Sequence, residues 1–190
     1  MTPAFDLHLM RHGEPEIAGR LLGRTDTAPT ADGVALCVAR GTQLRVEHLA
    51  SSDLRRASIA AAAIGDAAAL VPTIDPRWRE LDFGAWDGCS VADVDPDALG
   101  RFWADPEAAP PPGGECWSAI VARVAAAIGD LAARPTLIVT HGGAMRAALA
   151  VLCGFALRQL WAFDLPYAAL LSLRVWPGDH PVAQVTGLRA

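Results

Sequence analysis

The chain predicts an α/β fold, three-layer, with a mainly parallel sheet flanked by helices, and three observations carry that expectation. Apolar runs of strand length alternate with helical periodicity through most of the 190 residues. Two of those runs, Phe5 to Met10 and Thr136 to Thr140, lead directly into His-Gly motifs, Arg11-His12-Gly13 and His141-Gly142-Gly143. At 52% hydrophobic composition the length suits a single domain over 1–190, long enough to bury a sizeable core and short for two.

Taken in order, the pattern predicts a strand over 5–10, a helix over 31–44, a strand over 46–51, an alanine-rich helix over 54–69 and a short strand over 71–75. A helical region follows near 97–104, then a helix over 115–133, a strand over 136–140 and a helix over 144–153. A hairpin around 168–188 closes the chain and supplies a last strand in either sense. Between the helical segments, Pro110-Pro111-Pro112-Gly113-Gly114 must be a loop.

In an open α/β sheet, ligands bind beyond the carboxyl ends of the strands, so the two histidines are expected at one site built from both ends of the sequence. A glycine after each histidine would let the backbone approach a ligand closely.

Composition excludes several function classes. The net charge of −5 argues against a nucleic-acid partner, which needs a basic patch or stripe. All 16 basic residues are arginine, since the chain has no lysine, which removes P-loop, Schiff-base and pyridoxal-phosphate chemistry. Arginine offers instead a planar fork suited to phosphate. Cys37, Cys89, Cys116 and Cys153 form no C-x-x-C pair and read as buried or idle thiols. Met1 to Met10 lack the basic and apolar regions of a leader, and no apolar run reaches the ~18 residues of a membrane span. A cytoplasmic protein with no membrane partner is expected, with a homodimer as the candidate assembly.

Several residues carry candidate chemistry. Arg56, in Ser52-Asp53-Leu54-Arg55-Arg56, would leave the first turn of a helix beside N–H groups that favour anions. Glu80 lies among Trp78, Phe83 and Trp86, surroundings that would raise its pKa enough to donate a proton, unless it merely pairs with Arg77 or Arg79. Trp103, Trp117 and Trp86 are candidates to line a cavity for an aromatic substrate, and Trp161 and Trp176 read as core or rim. His8 and His12 are spaced i, i+4, but on a strand that separates them by about 13 Å, so they make no helical zinc site. His48 and His180 have no supporting motif.

In order, LMRHGE, GRTD with APTADG, SSDLRRA, RELDFGAWDG, PPGGE and VTHGGAMRA resemble the histidine phosphatase superfamily, the phosphoglycerate mutase-like enzymes, over residues 7–150. Within it the chain looks most like the short alpha-ribazole phosphatases of cobalamin assembly, on Trp103, Asp105 and the PPGGE loop. The resemblance implies a phosphomonoesterase with no metal and no cofactor, acting on a small phosphorylated substrate. It implies His12 as nucleophile, Arg11 and Arg56 as phosphate ligands, His141 as a further donor and Glu80 as the acid that protonates the leaving alcohol. Gly142, Gly23 and Arg24 would complete the substrate contacts. Two departures stand out. Pro15 replaces the family's Ser or Thr, which removes a phosphate contact, and Ile59-Ala60-Ala61 replaces Gln-Thr-Ala, which removes polar support for Arg56. Rival expectations are a phosphoglycerate mutase, a broad sugar or nucleotide phosphatase, and a non-catalytic phospholigand-binding protein.

Overall fold

The computed structural model describes residues 3–190; Met1 and Thr2, the start of the stretch read for a leader, lie outside the described residues. The elements run β1 Phe5–Arg11, α1 Ala31–Gly41, β2 His48–Ser51, α2 Arg55–Ala68, β3 Thr73–Ile74, α3 Pro96–Ala104, α4 Trp117–Gly129, β4 Thr136–Thr140, α5 Gly142–Cys153, α6 Leu157–Leu160, β5 Leu170–Trp176 and β6 Val182–Arg189. The six strands form one sheet ordered β3-β2-β4-β1-β5-β6.

Its first four strands in that order pair in parallel. The closing hairpin pairs antiparallel, β5 along β1 and β6 along β5, which resolves the sense left open by the sequence. β4 is buried along its whole length, as a strand covered on both faces must be. Side chains alternate between two cores. Leu7, Leu9, Ala50 and Ile138 point toward α4 and α5, where Ile120, Val124, Ala144 and Ala148 meet them. Met10, Leu49, Leu137 and Val139 point the other way, toward Cys37 of α1 and Ala57, Ala61 and Ile64 of α2. Small residues let α1 and α2 pack closely: a Cβ on Gly41 would lie 3.0 Å from Ile64.

Boundaries differ from the sequence reading where tertiary contacts decide them. α5 begins at Gly142, ahead of the expected 144, because the N–H of Gly143 is engaged by a side chain from another loop. α4 begins at Trp117 and not at 115, since Glu115 is held in an ion pair. The helix ends at Gly129, short of 133, with Asp130 as its cap. α6 and the 3-10 turns at 76–78, 84–86 and 91–93 are too short to leave a periodic signature.

The register of β1 on β4 sets Arg11 opposite Thr140, so the next residues, His12 and His141, leave the sheet side by side. The N–H of His12 donates to the carbonyl of Thr140 at 2.8 Å, extending the ladder by one bond.

Candidate active site

His12 is buried, and its Nδ1 lies 2.7 Å from the carbonyl oxygen of Gly13. A carbonyl only accepts, so Nδ1 carries the proton and Nε2 of the neutral ring keeps its lone pair. Burial holds the imidazole well below its ordinary value, and the Arg56 and Arg11 charges add to the effect. Desolvation is the larger cause. Gly13 itself serves helix packing: a Cβ there would lie 2.3 Å from the carbonyl oxygen of Gly33 in α1, so this glycine admits a helix rather than a ligand.

His141 caps α5 and stacks at a tilt on His12, ring centroids 5.0 Å apart. Burial first, then Arg56, keeps it well below the ordinary histidine value. Without an anion it is therefore neutral, with one N–H to donate.

Arg56 is fully buried at the start of α2. Its Nη1 donates to Thr25 O at 2.8 Å, and Nη2 donates to Leu22 O at 2.7 Å and Gly23 O at 3.0 Å. The polar support missing from Ile59-Ala60-Ala61 thus comes from the carbonyls of the 22–25 loop. Gly23 belongs to that support: a Cβ on it would meet Leu81 O at 2.6 Å. Arg24 pairs with Asp82 at 3.2 Å, and neither Gly23 nor Arg24 lines the cavity over the histidines.

Arg11 donates from Nη1 to Leu165 O at 2.7 Å and lies 4.4 Å over the ring of Tyr167. Tyr167 also sits 5.6 Å from the His12 ring, so the chain's one tyrosine braces both residues.

Glu80 reaches the same place from the 76–82 loop. Its Oε1 accepts from Leu81 N at 2.8 Å and from Gly143 N, at the N-terminus of α5, at 2.9 Å. The carboxylate is held by backbone N–H groups, where an aromatic setting was expected. The simple ion pair is also set aside, because Arg77 pairs with Asp75 and Asp130, and Arg79 with Asp53.

The buried side-chain nitrogens without a hydrogen-bond partner, among the described residues, are Arg11 Nε, Arg56 Nε, Arg146 Nε and both ring nitrogens of His141. All belong to this one site. Buried donors are paired in folded proteins unless a ligand completes them, so their convergence marks an anion-binding centre.

A cavity of about 300 Å³ opens above it. Arg11, His12, Glu80, Gly142 and Gly143 form its floor, and Phe83, Phe102, Trp103, Trp117 and Trp161 line its walls. Trp86 instead packs edge-on against Phe102. Trp161, read as core or rim, belongs to the wall, and Trp176 stays on the outer part of β5. Sequence reasoning missed Arg146, four residues past Gly142 on α5, which lines the cavity with its guanidinium 4.8 Å over Trp161. Its i+4 spacing from Gly142 on a helix that starts at the site was the available signal.

His8 and His48 are engaged elsewhere: His8 bonds Ser172 at 2.9 Å and His48 bonds Thr73 at 3.1 Å. No helix among the described residues is long and apolar enough to cross a membrane.

A lone pair on a fixed imidazole, facing guanidinium groups and a carboxylate, can accept and release a phosphoryl group. The chain is similar in sequence and fold to known proteins. Glucosyl-3-phosphoglycerate phosphatase of Mycobacterium tuberculosis is 32% identical over 165 residues, covering 77% of this chain and 74% of the relative. The native structure of a mycobacterial protein of that name superposes with a TM-score of 0.87 at 27% identity, over 97% of this chain and 98% of that one. The alpha-ribazole phosphatase from Shigella flexneri superposes with a TM-score of 0.82 at 25% identity, over 97% and 96%. Residues 7–186 match the model of the histidine phosphatase superfamily (branch 1), and the chain belongs to that family.

Proposed function

We propose that the chain is a phosphomonoesterase working through a phosphohistidine on His12, without a metal ion. The observation that carries this is the fixed tautomer: Nδ1–H bonded to Gly13 O leaves Nε2 as a neutral lone pair beside unpartnered guanidinium and imidazole donors. Nε2 attacks phosphorus, the ester P–O bond breaks, and Glu80 gives its proton to the departing alkoxide. Water then attacks the phosphohistidine, losing a proton to Glu80, and inorganic phosphate leaves as the P–N bond breaks. Arg11, Arg56 and His141 compensate the charge on the transferring oxygens, the task magnesium performs in other phosphoryl-transfer enzymes.

Rapid quench with phosphorus-labelled p-nitrophenyl phosphate tests this. Wild-type protein should yield an acid-labile, base-stable phosphoenzyme, and His12→Ala none; wild-type turnover in that variant would overturn the covalent route. Absence of any turnover in the wild type would favour a non-catalytic binding protein.

Alpha-ribazole 5′-phosphate is the proposed substrate, supported by the wall of Trp103, Trp117 and Trp161, on which a flat base can stack. One observation favours a second reading. Arg146 lines the cavity with its Nε unpartnered and, among the described residues, bonds only backbone carbonyls, those of Gly142 and Phe163, as a phosphoglycerate ester, with its carboxylate, would require.

A further inference from the structure

Arg123 lies on α4, outside the cavity, and belongs to none of the sequence motifs. Its guanidinium nevertheless uses all five of its donors. Nε donates to Glu115 Oε1 at 2.8 Å and Nη2 to Glu115 Oε2 at 2.9 Å. The other three bonds go to consecutive parts of one loop: Nη1 to Arg77 O at 2.7 Å and Arg79 O at 2.8 Å, and Nη2 to Glu80 O at 2.9 Å. Glu115 grips the same loop from its other end, since its N–H donates to Asp82 O at 2.9 Å and its Oε2 accepts from Asp82 N at 3.3 Å. The backbone on both sides of Glu80 is therefore fastened to one nearly buried ion pair, whose side chains are 16% and 12% exposed.

We propose that Arg123, oriented by Glu115, is a positioning residue that holds the Glu80 carboxylate against the N-terminus of α5 for proton transfer. This rests on the reading of Glu80 as the proton donor. A loop of 3-10 turns has little rigidity of its own, and the Glu80 side chain is only as well placed as the carbonyl behind it. Arg123 supplies a planar fork that meets the carboxylate and the three carbonyls together. Lysine, with three donors on one nitrogen, cannot match that geometry.

Two readouts test it. In the first, Arg123→Met, Arg123→Lys, Glu80→Gln and the Arg123→Met/Glu80→Gln double variant are assayed on an alkyl phosphate and on p-nitrophenyl phosphate. Arg123→Met should lower kcat on the alkyl phosphate by roughly 10²-fold, the cost of about 1 Å of misplacement, with KM nearly unchanged and a small loss on p-nitrophenyl phosphate. Arg123→Lys should recover part of the loss, and Arg123→Met should add almost nothing in the Glu80→Gln background. Equal losses on both substrates, or additive losses in the double variant, would overturn the proposal.

The second readout needs no turnover: amide exchange of Gly143, whose N–H is held by the Glu80 carboxylate. Arg123→Met should raise it toward the level of Glu80→Ala, which removes the acceptor, and unchanged protection would overturn the proposal. Where Arg123→Met fails to fold, Glu115→Gln, which keeps the volume and loses the charge, should speed the same amide in the same direction. If Glu80→Gln shows no leaving-group dependence while the amide responds as expected, the proton-donor reading fails and the positioning of the carboxylate stands.

Discussion

A Cβ placed on Gly143 would lie 2.1 Å from Oε1 of Glu80. The carboxylate and the first turn of α5 thus share a space that only glycine leaves open. Gly143→Ala should expel Glu80 while keeping the helix, because alanine favours helix over glycine. Steady-state rates on alkyl phosphates should fall by about 10²-fold or more, the usual contribution of a positioned acid, and p-nitrophenyl phosphate should suffer much less. Wild-type kcat on both would show that Glu80 is not needed at that spot.

Both site histidines lie well below the ordinary value of 6.5, chiefly through burial. Between their folded values and 6.5 the unfolded chain binds protons that the folded chain does not. Stability from these groups is therefore full above pH 6.5, falls as pH drops below it, and levels off once the folded imidazoles are protonated. Urea midpoints measured across pH 6.5 should follow that curve, with a shallower fall for His141→Gln. An equally steep fall in the variant would place the linkage elsewhere.

Arg146 separates the two substrate readings. Arg146→Gln should raise KM for phosphorylated carboxylic acids such as 3-phosphoglycerate by roughly tenfold, given ~1.5–3 kcal/mol for a hydrogen bond to a charged group. Its effect on a phosphate ester lacking a carboxylate should be slight. A uniform loss across both substrate types would assign Arg146 to the phosphoryl group itself.

Trp103 and Trp161 pack edge to face, 5.4 Å apart, in the wall of the cavity. Stacking on such a wall is worth ~1–3 kcal/mol per base in nucleic-acid sites. Trp103→Ala should accordingly cost about tenfold in kcat/KM on alpha-ribazole 5′-phosphate and little on 3-phosphoglycerate. The wild type should prefer the ribazole ester and show no primer-dependent mutase activity; faster interconversion of phosphoglycerates would reverse that ranking.

Turnover should survive EDTA, and vanadate should compete with substrate by imitating the five-coordinate phosphoryl group. Activity lost on chelation and restored by magnesium or zinc would contradict charge compensation by Arg11, Arg56 and His141.

The strands that deliver the histidines were legible because their apolar runs are continuous and end at the motifs: β4 matches the expected 136–140, and β1 exceeds its expectation only by Arg11. His12, Arg11, Arg56, Glu80 and His141 could be singled out by motif and converge in space. Arg123 and Tyr167 could not, because their roles depend on which loop packs across a helix, and a local pattern carries no record of that. Gly23 was legible as part of the site but not as a prop for Arg56, since only the folded loop turns its carbonyl inward. Nor could the cluster of Trp78, Phe83 and Trp86 reveal the hold of Gly143 N on the Glu80 carboxylate, since that donor lies 63 residues further along the chain.

The central strand that carries His12 has both of its partners, β4 and β5, far downstream of it. During synthesis, a nascent chain that ends before Thr136 holds β1 with neither flank, and the pairing that seats the nucleophile must wait for long-range closure. Every truncation from the C-terminal side that reaches into β4 should therefore be catalytically silent, however much of the N-terminal half is helical. Acquisition of turnover by a ribosome-released chain becomes a clock for docking of the last third of the polypeptide onto the first strand.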